Sequence, residues 1–248
     1  MFEYNIFENQ LKSETFGRHL KYFQSTDSTN TEAKIYLENG DSHGHVIVTK
    51  NQTSGRGRRE NEWISTPNKS LTFSIILNQK KIKNKKLLPI ISAVAIIKSI
   101  QKIANVECSI KWPNDIILNN QKLGGILIEQ KKNYMIIGIG INVNENYKDL
   151  NIKIKNISTS LRINKTPVIK LESLLACILN KLELYCNNEK IDFINEWTNY
   201  CLHINKKINF YNKNTIQSGI FKGINENGEG IIKINDKIEL IYTGMINL

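Results

Sequence analysis

The sequence has few residues of the kinds that cross-link a chain or hold a metal. Its 248 residues include only four histidines and four cysteines, the latter being Cys108, Cys177, Cys186 and Cys201. The cysteines form no Cys-x-x-Cys pair, and no histidine stands at the spacing of a zinc site. His43 and His45 would share one face of a strand, but two ligands are too few to hold a metal. The sequence therefore predicts reduced, buried thiols and no protein metal site.

Targeting and membrane signals are also missing from the sequence. The N-terminal stretch Met1–Leu11 lacks the basic segment followed by an apolar one that marks a secretory signal. No apolar run approaches the roughly 20 residues that are needed to cross a bilayer. We therefore expect a soluble cytoplasmic protein with no membrane partner.

The sequence carries no standard nucleotide-binding fingerprint and no nucleophilic triad. Gly138-Ile139-Gly140 begins like a dinucleotide motif, but Val143 stands where a third glycine is required. No Gly-x-x-x-x-Gly-Lys-Ser/Thr loop occurs, and no Ser-His-Asp or Cys-His arrangement is evident. A bound nucleotide would have to be held in another way, and the chemistry would have to proceed without a protein nucleophile.

Positive charge is what the sequence has in excess. Lysine and arginine together number 34 against 23 acidic residues, which gives a formal net charge of +11. The hydrophobic content of 40% is ordinary for a soluble globular protein of one or two domains. The charge fits anionic ligands, acidic protein partners or nucleic acid, and does not choose among them.

The segment Gln52–Arg59, followed by Trp63, has the most distinctive local chemistry. Glycines at 55 and 57 alternate with arginines at 56, 58 and 59. Glycine lets the backbone approach a ligand closely, and the guanidinium groups can grip carboxylate or phosphate oxygens. The segment therefore favours an anion-handling loop, although taken alone it fits a solvated basic turn equally well.

Apolar periodicity predicts alternating strands and helices around this loop. The predicted strands are Lys21–Gln24, His45–Lys50, Leu71–Leu77, Leu123–Glu129 and Tyr134–Val143. One helix of about ten residues is predicted to start at a Thr29–Glu32 capping box and to end before Gly40, and a second to span Leu87–Ala104. The lysine-rich stretch Gln79–Lys86 between them favours a solvated surface loop.

The segment Lys111-Trp112-Pro113-Asn114-Asp115 predicts a lysine fixed at the end of a strand. Trp-Pro stiffens the backbone, so the ammonium would be held in one place where negative charge develops. The alternative is a lysine that only pairs with Asp115. A hairpin turn is predicted at residues 119–122, and it leads into a strand where Gly124 and Gly125 suggest close approach of a ligand or backbone.

The C-terminal third changes character near residue 201. Residues 144–165 are polar and predict a loop, after which helical stripes cover residues 170–185 and 191–200. Short alternating runs then follow at Lys207–Tyr211, Thr215–Ile224, Gly230–Ile234 and Ile238–Tyr242. We therefore predict a first domain over residues 1–200 and a small β-barrel domain over residues 201–248.

Five of these motifs occur in the order and at the spacing of one known family, and the sequence resembles biotin–protein ligase from about residue 20 to 143. The motifs are Ser28-Thr29-Asn30, Gln52 with Gly55–Arg59 and Trp63, Lys111–Asp115, Lys122–Glu129 and Gly138–Val143. The resemblance implies an α/β (α+β) fold, with a mixed sheet flanked by helices in a class II synthetase-like, SH2-like domain and an SH3-like C-terminal barrel. It also implies a biotin–[acetyl-CoA-carboxylase] ligase, which uses ATP and Mg²⁺ to make biotinyl-5′-AMP and then biotinylates a lysine of a biotin carboxyl carrier domain.

The resemblance assigns roles to individual positions. Lys111 and Arg58 would be the catalytic cations, with Lys111 contacting the reacting carboxylate and the α-phosphate. Trp63 would pack near the acyl chain, and Mg²⁺ would arrive with the ATP phosphates. The remaining residues would bind biotin or the adenylate, and they are Ser28, Thr29, Asn30, Gln52, Gly55, Arg56, Gly57, Asn114, Gly124 and Gly125.

The same resemblance bears on partners. Repressor-type members carry a DNA-binding domain before the Ser-Thr-Asn motif, whereas 27 residues precede Ser28 here, so we expect no specific DNA binding. A homodimer stays open. Two alternatives also stay open, namely lipoate–protein ligase, which shares the fold and the adenylate chemistry, and a non-enzymatic basic binding module.

Overall fold

A computed structural model describes residues 2–37, 42–59, 61–188, 190–212, 215–235, 237–241 and 246–247. Within these ranges the helices are α1 (Tyr4–Gln10), α2 (Thr29–Tyr36), α3 (Leu88–Ala104), α4 (Leu171–Cys186) and α5 (Phe193–Tyr200). The first seven strands are β1 (Leu20–Phe23), β2 (Val46–Thr49), β3 (Ser70–Asn78), β4 (Ser109–Lys111), β5 (Asp115–Leu118), β6 (Gln121–Lys131) and β7 (Tyr134–Asn142). The last five are β8 (Lys207–Asn212), β9 (Thr215–Ile224), β10 (Gly230–Ile234), β11 (Lys237–Ile241) and β12 (Ile246–Asn247).

The first seven strands form one mixed sheet in the order β1-β2-β3-β7-β6-β5-β4. β1 and β2 pair in parallel, and the other neighbours are antiparallel. β3 and β7 pair along their whole length, from Ser70 opposite Asn142 to Asn78 opposite Tyr134. The predicted turn between β5 and β6 is confirmed, since Asn119 and Asn120 both adopt positive φ, as a two-residue hairpin turn requires.

Helices α3 and α4 pack on one another beside this sheet and complete its core. Pro89 lies in the first turn of α3, where a missing amide costs no hydrogen bond, and the helix ends at Asn105 with φ of 52°. Contrary to the prediction from apolar runs, the segment Lys85–Ala104 is long and apolar enough to cross a membrane by composition alone. A buried core helix passes the same test, and 61% of this apolar window is buried.

Helix α2 starts where the sequence predicts but is capped differently. The predicted Thr29–Glu32 capping box is wrong: Ser28 is the N-cap residue, and no side chain caps the helix. The Thr29 hydroxyl instead donates to Gln52 Oε1, and Glu32 accepts a hydrogen bond of 2.7 Å from Thr26. The predicted stop at Gly40 lies outside the described residues.

The last five strands form a separate antiparallel sheet in the order β11-β10-β9-β8-β12. This confirms the predicted fold class, in which a large mixed sheet with helices is followed by a small C-terminal sheet. The two sheets meet at Trp112, whose indole N–H donates to the carbonyl of Gly228 at 3.3 Å and whose ring lies 6.1 Å from that of Phe221. The domain boundary near residue 200 stays a prediction.

Candidate active site

A cavity of about 150 Å³ lies where the start of α2, the segment after β2, the β4–β5 connection and the middles of β6 and β7 come together. Most of the predicted site residues meet there although they are spread over a hundred positions of the sequence. Its described lining includes Ser28, Thr29, Asn30, Gln52, Arg56, Gly57, Arg58, Trp63, Lys111, Asn114 and Gly125. Gly55 and Gly124 are not part of that described lining.

The start of α2 gives the cavity a polar floor. The Thr29 backbone N–H and hydroxyl both donate to Gln52 Oε1, at 2.8 and 3.0 Å. The buried Ser74 hydroxyl, on β3, lies 2.7 Å from Thr29 Oγ1 and 2.6 Å from Asn30 Oδ1. Since Asn30 Oδ1 can only accept, Ser74 donates to it, and the Thr29 hydroxyl proton is then shared between Ser74 Oγ and Gln52 Oε1. Ser28, Thr29 and Asn30 are all buried, so this hydrogen-bond network holds the floor in one arrangement.

The arginine loop, residues 52–59 and 61–63, forms one wall as a small hairpin. The Gly57 N–H donates to the Asn61 carbonyl at 2.6 Å, and the Trp63 N–H donates to the Gly55 carbonyl at 2.9 Å. Gly55 is required by this turn, because a Cβ there would overlap the Trp63 carbonyl oxygen. The structure thus gives Gly55 a role inside the loop and places Arg56 and Arg58 along the cavity wall.

Asn114 fixes the side chain of Arg58. Arg58 donates to Asn114 Oδ1 at 3.1 Å, and the Asn114 amide in turn donates to the Ile126 carbonyl at 2.8 Å. Burial, together with the charge of Arg59, holds the pKa of Arg58 below its ordinary value, while Asp115 opposes that shift. Arginine keeps its charge under such shifts, so Arg58 presents a partly desolvated cation to the cavity.

Among the described residues, two lysines line the cavity where the sequence predicted one. Lys111 ends β4 as predicted, and Lys122 enters from the start of β6. The ion pair of Asp115 is made with Lys122, at 2.7 Å between Nζ and Oδ1, and so the alternative of a Lys111–Asp115 pair is not what the structure contains. The sequence motif had placed Lys122 in a hairpin turn, although its position just before the glycine pair was the signal that could have found it.

Glycines of β7 make room for two of the site side chains. A Cβ on Gly140 would overlap the Trp63 indole, and one on Gly138 would overlap Asn30 Oδ1. The indole therefore rests directly on the β7 backbone. Gly125 lines the cavity, but Gly124 does not, because its missing side chain leaves space for the Gly140 carbonyl, which a Cβ would approach to 2.6 Å.

Thr72 is a further lining residue that the sequence reading missed. It lies on β3 opposite Gly140, is buried, and its hydroxyl has no hydrogen-bond partner in the described part of the protein. Thr72 and Ser74 share one face of β3 and alternate with the apolar Leu71, Phe73 and Ile75, and this alternation with period two was the signal for them. Among the described residues, no three His, Cys, Asp or Glu side chains group as metal ligands.

The cavity sets a polar floor against a cationic wall, which is an arrangement suited to an enzyme that acts on a small anionic molecule. Comparison with known proteins narrows this class. A sequence model of the Biotin/lipoate A/B protein ligase family matches residues 22–146. The bifunctional ligase/repressor BirA of Bacillus subtilis is 32% identical over 250 residues, covering 96% of this chain and 76% of that protein.

Solved structures agree with this match. Biotin protein ligase from Aquifex aeolicus, solved in complex with biotin and ATP, superposes with a TM-score of 0.79 at 28% identity, covering 93% of this chain and 98% of that one. A further relative by sequence is the biotin–[acetyl-CoA-carboxylase] ligase of Mycobacterium tuberculosis, which is 28% identical over 149 residues, or 56% of each chain. The chain therefore belongs to the biotin/lipoate A/B protein ligase family, and within it to the biotin–protein ligases.

Proposed function

We propose that this ligase activates biotin with ATP to biotinyl-5′-AMP and then transfers biotin to a lysine of a biotin carboxyl carrier protein of acetyl-CoA carboxylase or a related carboxylase. The observation that carries the proposal is the placement of Arg56, Arg58, Lys111 and Lys122 around one cavity whose floor is neutral and polar. The floor suits the ureido ring of biotin, and the cations suit its carboxylate and the phosphates of ATP.

The first step joins two anions. A biotin carboxylate oxygen attacks the α-phosphorus of ATP, the bond from that phosphorus to the bridging oxygen breaks, and pyrophosphate leaves. Lys111 and Lys122 neutralise the approach of carboxylate to phosphate and stabilise the added negative charge. Mg²⁺ would be carried by the ATP phosphates and would neutralise part of their charge, while the carboxylate of Asp115 is paired with Lys122.

The second step releases AMP. A carrier lysine, as the free amine, attacks the acyl carbon, the acyl–phosphate bond breaks, and the amine loses a proton as the amide forms. Until then the mixed anhydride has to be kept from water. The arginine loop lines one wall of the cavity, where its closing would limit access of water, and the Trp63 indole on β7 is placed to pack beside the acyl chain.

The identity of the protein substrate and the surroundings of the enzyme are part of the same proposal. The formal charge of +11 favours nucleotide and an acidic carrier domain. Absence of sequence-specific DNA binding and a cytoplasmic location stay predictions, and a homodimer stays open. A gel-shift assay with duplex DNA would contradict the first of these if it detected tight, sequence-selective binding.

The decisive experiment is mass spectrometry of a carrier domain incubated with the protein, biotin and MgATP. We expect one added biotinyl group on one lysine, and pyrophosphate release that depends on biotin. Lipoate in place of biotin is the matched control, because the family model covers both acids. Pyrophosphate release with lipoate and not with biotin would overturn the assignment, and nucleic-acid affinity without ATP turnover would indicate a binding module.

A further inference from the structure

Glu129, near the end of β6, joins the two halves of the candidate site without being part of the described cavity lining. Its Oε2 accepts from the Asn30 side-chain amide at 2.7 Å and from Arg56 Nη2 at 3.3 Å. Its Oε1 accepts from Lys34 Nζ at 2.5 Å. One carboxylate thus contacts a residue of the polar floor, a residue of the arginine loop and a lysine of α2.

These contacts extend into a continuous chain of hydrogen bonds. From Arg56 the chain passes through Glu129 to the Asn30 amide, and then to Ser74 through Asn30 Oδ1. Ser74 is in turn 2.7 Å from Thr29, which donates to Gln52. Each member restricts the orientation of the next, so the position of the loop and the orientation of the floor are physically linked.

The charges at Glu129 favour this arrangement. Burial raises the pKa of Glu129, but the hydrogen bonds from Lys34 and Asn30 and the charge of Arg56 outweigh burial, and the net pKa lies below its ordinary value. The carboxylate is therefore ionised when the loop is docked. A glutamine could not replace it fully, because its amide nitrogen would donate towards groups that are themselves donors.

We propose that Glu129 is a positioning residue that couples docking of the arginine loop through Arg56 to the orientation of Asn30 in the floor. The inference rests on the proposed function, since it concerns how biotin and its adenylate are held. Biotin bound against Asn30 holds that side chain in the orientation that fixes Glu129, and it thereby favours the docked loop. Loss of Glu129 therefore loosens the hold on the adenylate without removing a cation from the cavity.

The test compares E129Q with wild-type protein in a chase experiment. Biotinyl-adenylate is first formed on the protein, and the rate of its release into solution is then measured, once with and once without carrier domain. We expect about 10-fold faster release for E129Q and a raised KM for biotin with kcat for pyrophosphate formation changed much less, as loss of a charged hydrogen bond predicts. E196Q is the matched control, since Glu196 pairs with Lys98 at 2.6 Å, is similarly half-buried, and lies on α5.

A double-mutant cycle separates coupling from simple destabilisation. We expect R56Q to speed adenylate release, and the R56Q/E129Q double variant to release it no faster than the worse single variant. The Arg56 side chain is 46% exposed, so we expect R56Q to fold normally. Its release rate then tests the Arg56–Glu129 contact even if E129Q folds poorly. Fully additive effects, or release from E129Q at the wild-type and E196Q rate, would overturn the coupling. Wild-type protein that makes no biotin adenylate would instead overturn the proposed function.

Discussion

At the scale of single residues, the site depends on how its cationic side chains are held. Lys111 is held by a short strand and by buried Trp112, and Lys122 is held by its ion pair with Asp115. Arg58 is held by Asn114, and Arg56 by Glu129. A cation fixed before the reaction stabilises developing charge without paying for reorganisation when the reaction occurs.

The two lysines give the first prediction. We expect Lys111→Ala to slow adenylate formation by about 100-fold or more, as loss of a preorganised charge stabiliser does, and Lys122→Ala to have an effect of similar size. Single-turnover pyrophosphate release with saturating biotin and MgATP measures both. Near-normal release by either variant would remove that lysine from the proposed chemistry.

Arg58 gives the second prediction, which concerns retention of the intermediate. We expect Arg58→Gly to form the adenylate but to lose it to solution faster, because the loop would lack its contact with Asn114. The measurement is the partition of biotinyl-adenylate between bound and free fractions after rapid filtration. Unchanged leakage relative to wild type would count against a closing role for this arginine.

At the scale of elements, the site depends on one strand that lacks side chains at two alternate positions. β7 carries Gly138 and Gly140 on the face that points to the cavity, so Asn30 and Trp63 can lie directly on its backbone. Neighbouring β3 contributes Thr72 and Ser74 opposite these glycines. The cavity thus lies where the sheet lacks the side chains of two residues, and the register between β3 and β7 sets which residues surround it.

Gly140→Ala tests this reading of β7. The new methyl group would overlap the Trp63 indole, and such overpacking costs about 1–3 kcal/mol. We expect biotin to bind about 10- to 100-fold more weakly, with the folded structure retained. Titration calorimetry with biotin gives the affinity, and circular dichroism checks the fold. Tight biotin binding in the folded variant would show that the indole is not needed where the structure places it.

At the scale of the whole molecule, the two sheets are joined beside the site. Trp112 follows Lys111 directly and packs against Phe221 and Gly230 of the small sheet. His203 lies in the same contact, 4.3 Å from the Phe221 ring between centroids. Burial, aided by the charges of Lys111 and Lys206, lowers the pKa of His203 to about 4, so the imidazole is neutral near pH 7. The contact of Trp112 with Phe221, together with the neutral His203, therefore gives the region beside Lys111 an uncharged, packed surface.

The stability of the whole chain should depend on pH through Glu145. This residue is fully buried with Ser70 as a hydrogen-bond donor, and burial raises its pKa from 4.5 to about 7 against the effect of that hydrogen bond. The folded protein then holds a proton that the unfolded chain releases between these pH values. Its contribution to stability is complete below about pH 4.5 and is lost as pH rises through about 7, by about 3 kcal/mol at most.

Glu145→Gln removes this titration. We expect the free energy of unfolding of the variant, relative to wild type, to increase between about pH 5 and about pH 8, because only the wild type has to bury a charge at the higher pH. Urea denaturation at the two pH values measures it. A stability difference that stays constant with pH would show that Glu145 does not titrate in this range.

The sequence by itself determined most of the elements, although α1 was not predicted, and most of the candidate residues. Apolar periodicity located most strands and α3, and the paired asparagines at 119 and 120 predicted a hairpin turn. The residue types of the arginine loop and of the Lys-Trp-Pro-Asn-Asp segment indicated that they bind anions. These signals are local, since a strand period, a turn with positive φ or a guanidinium cluster needs no knowledge of distant residues.

Only the tertiary structure decided which side chains meet. Local patterns place Lys122, Thr72 and Glu129 on strands, but that these side chains meet at one site follows from the order β3-β7-β6 in the large sheet. Tertiary contacts also explain why the Thr29 hydroxyl bonds to Gln52 and does not cap its helix, and why Gly124 faces the Gly140 carbonyl. Contacts between residues far apart in sequence depend on strand order and register, which no short stretch of the chain encodes alone.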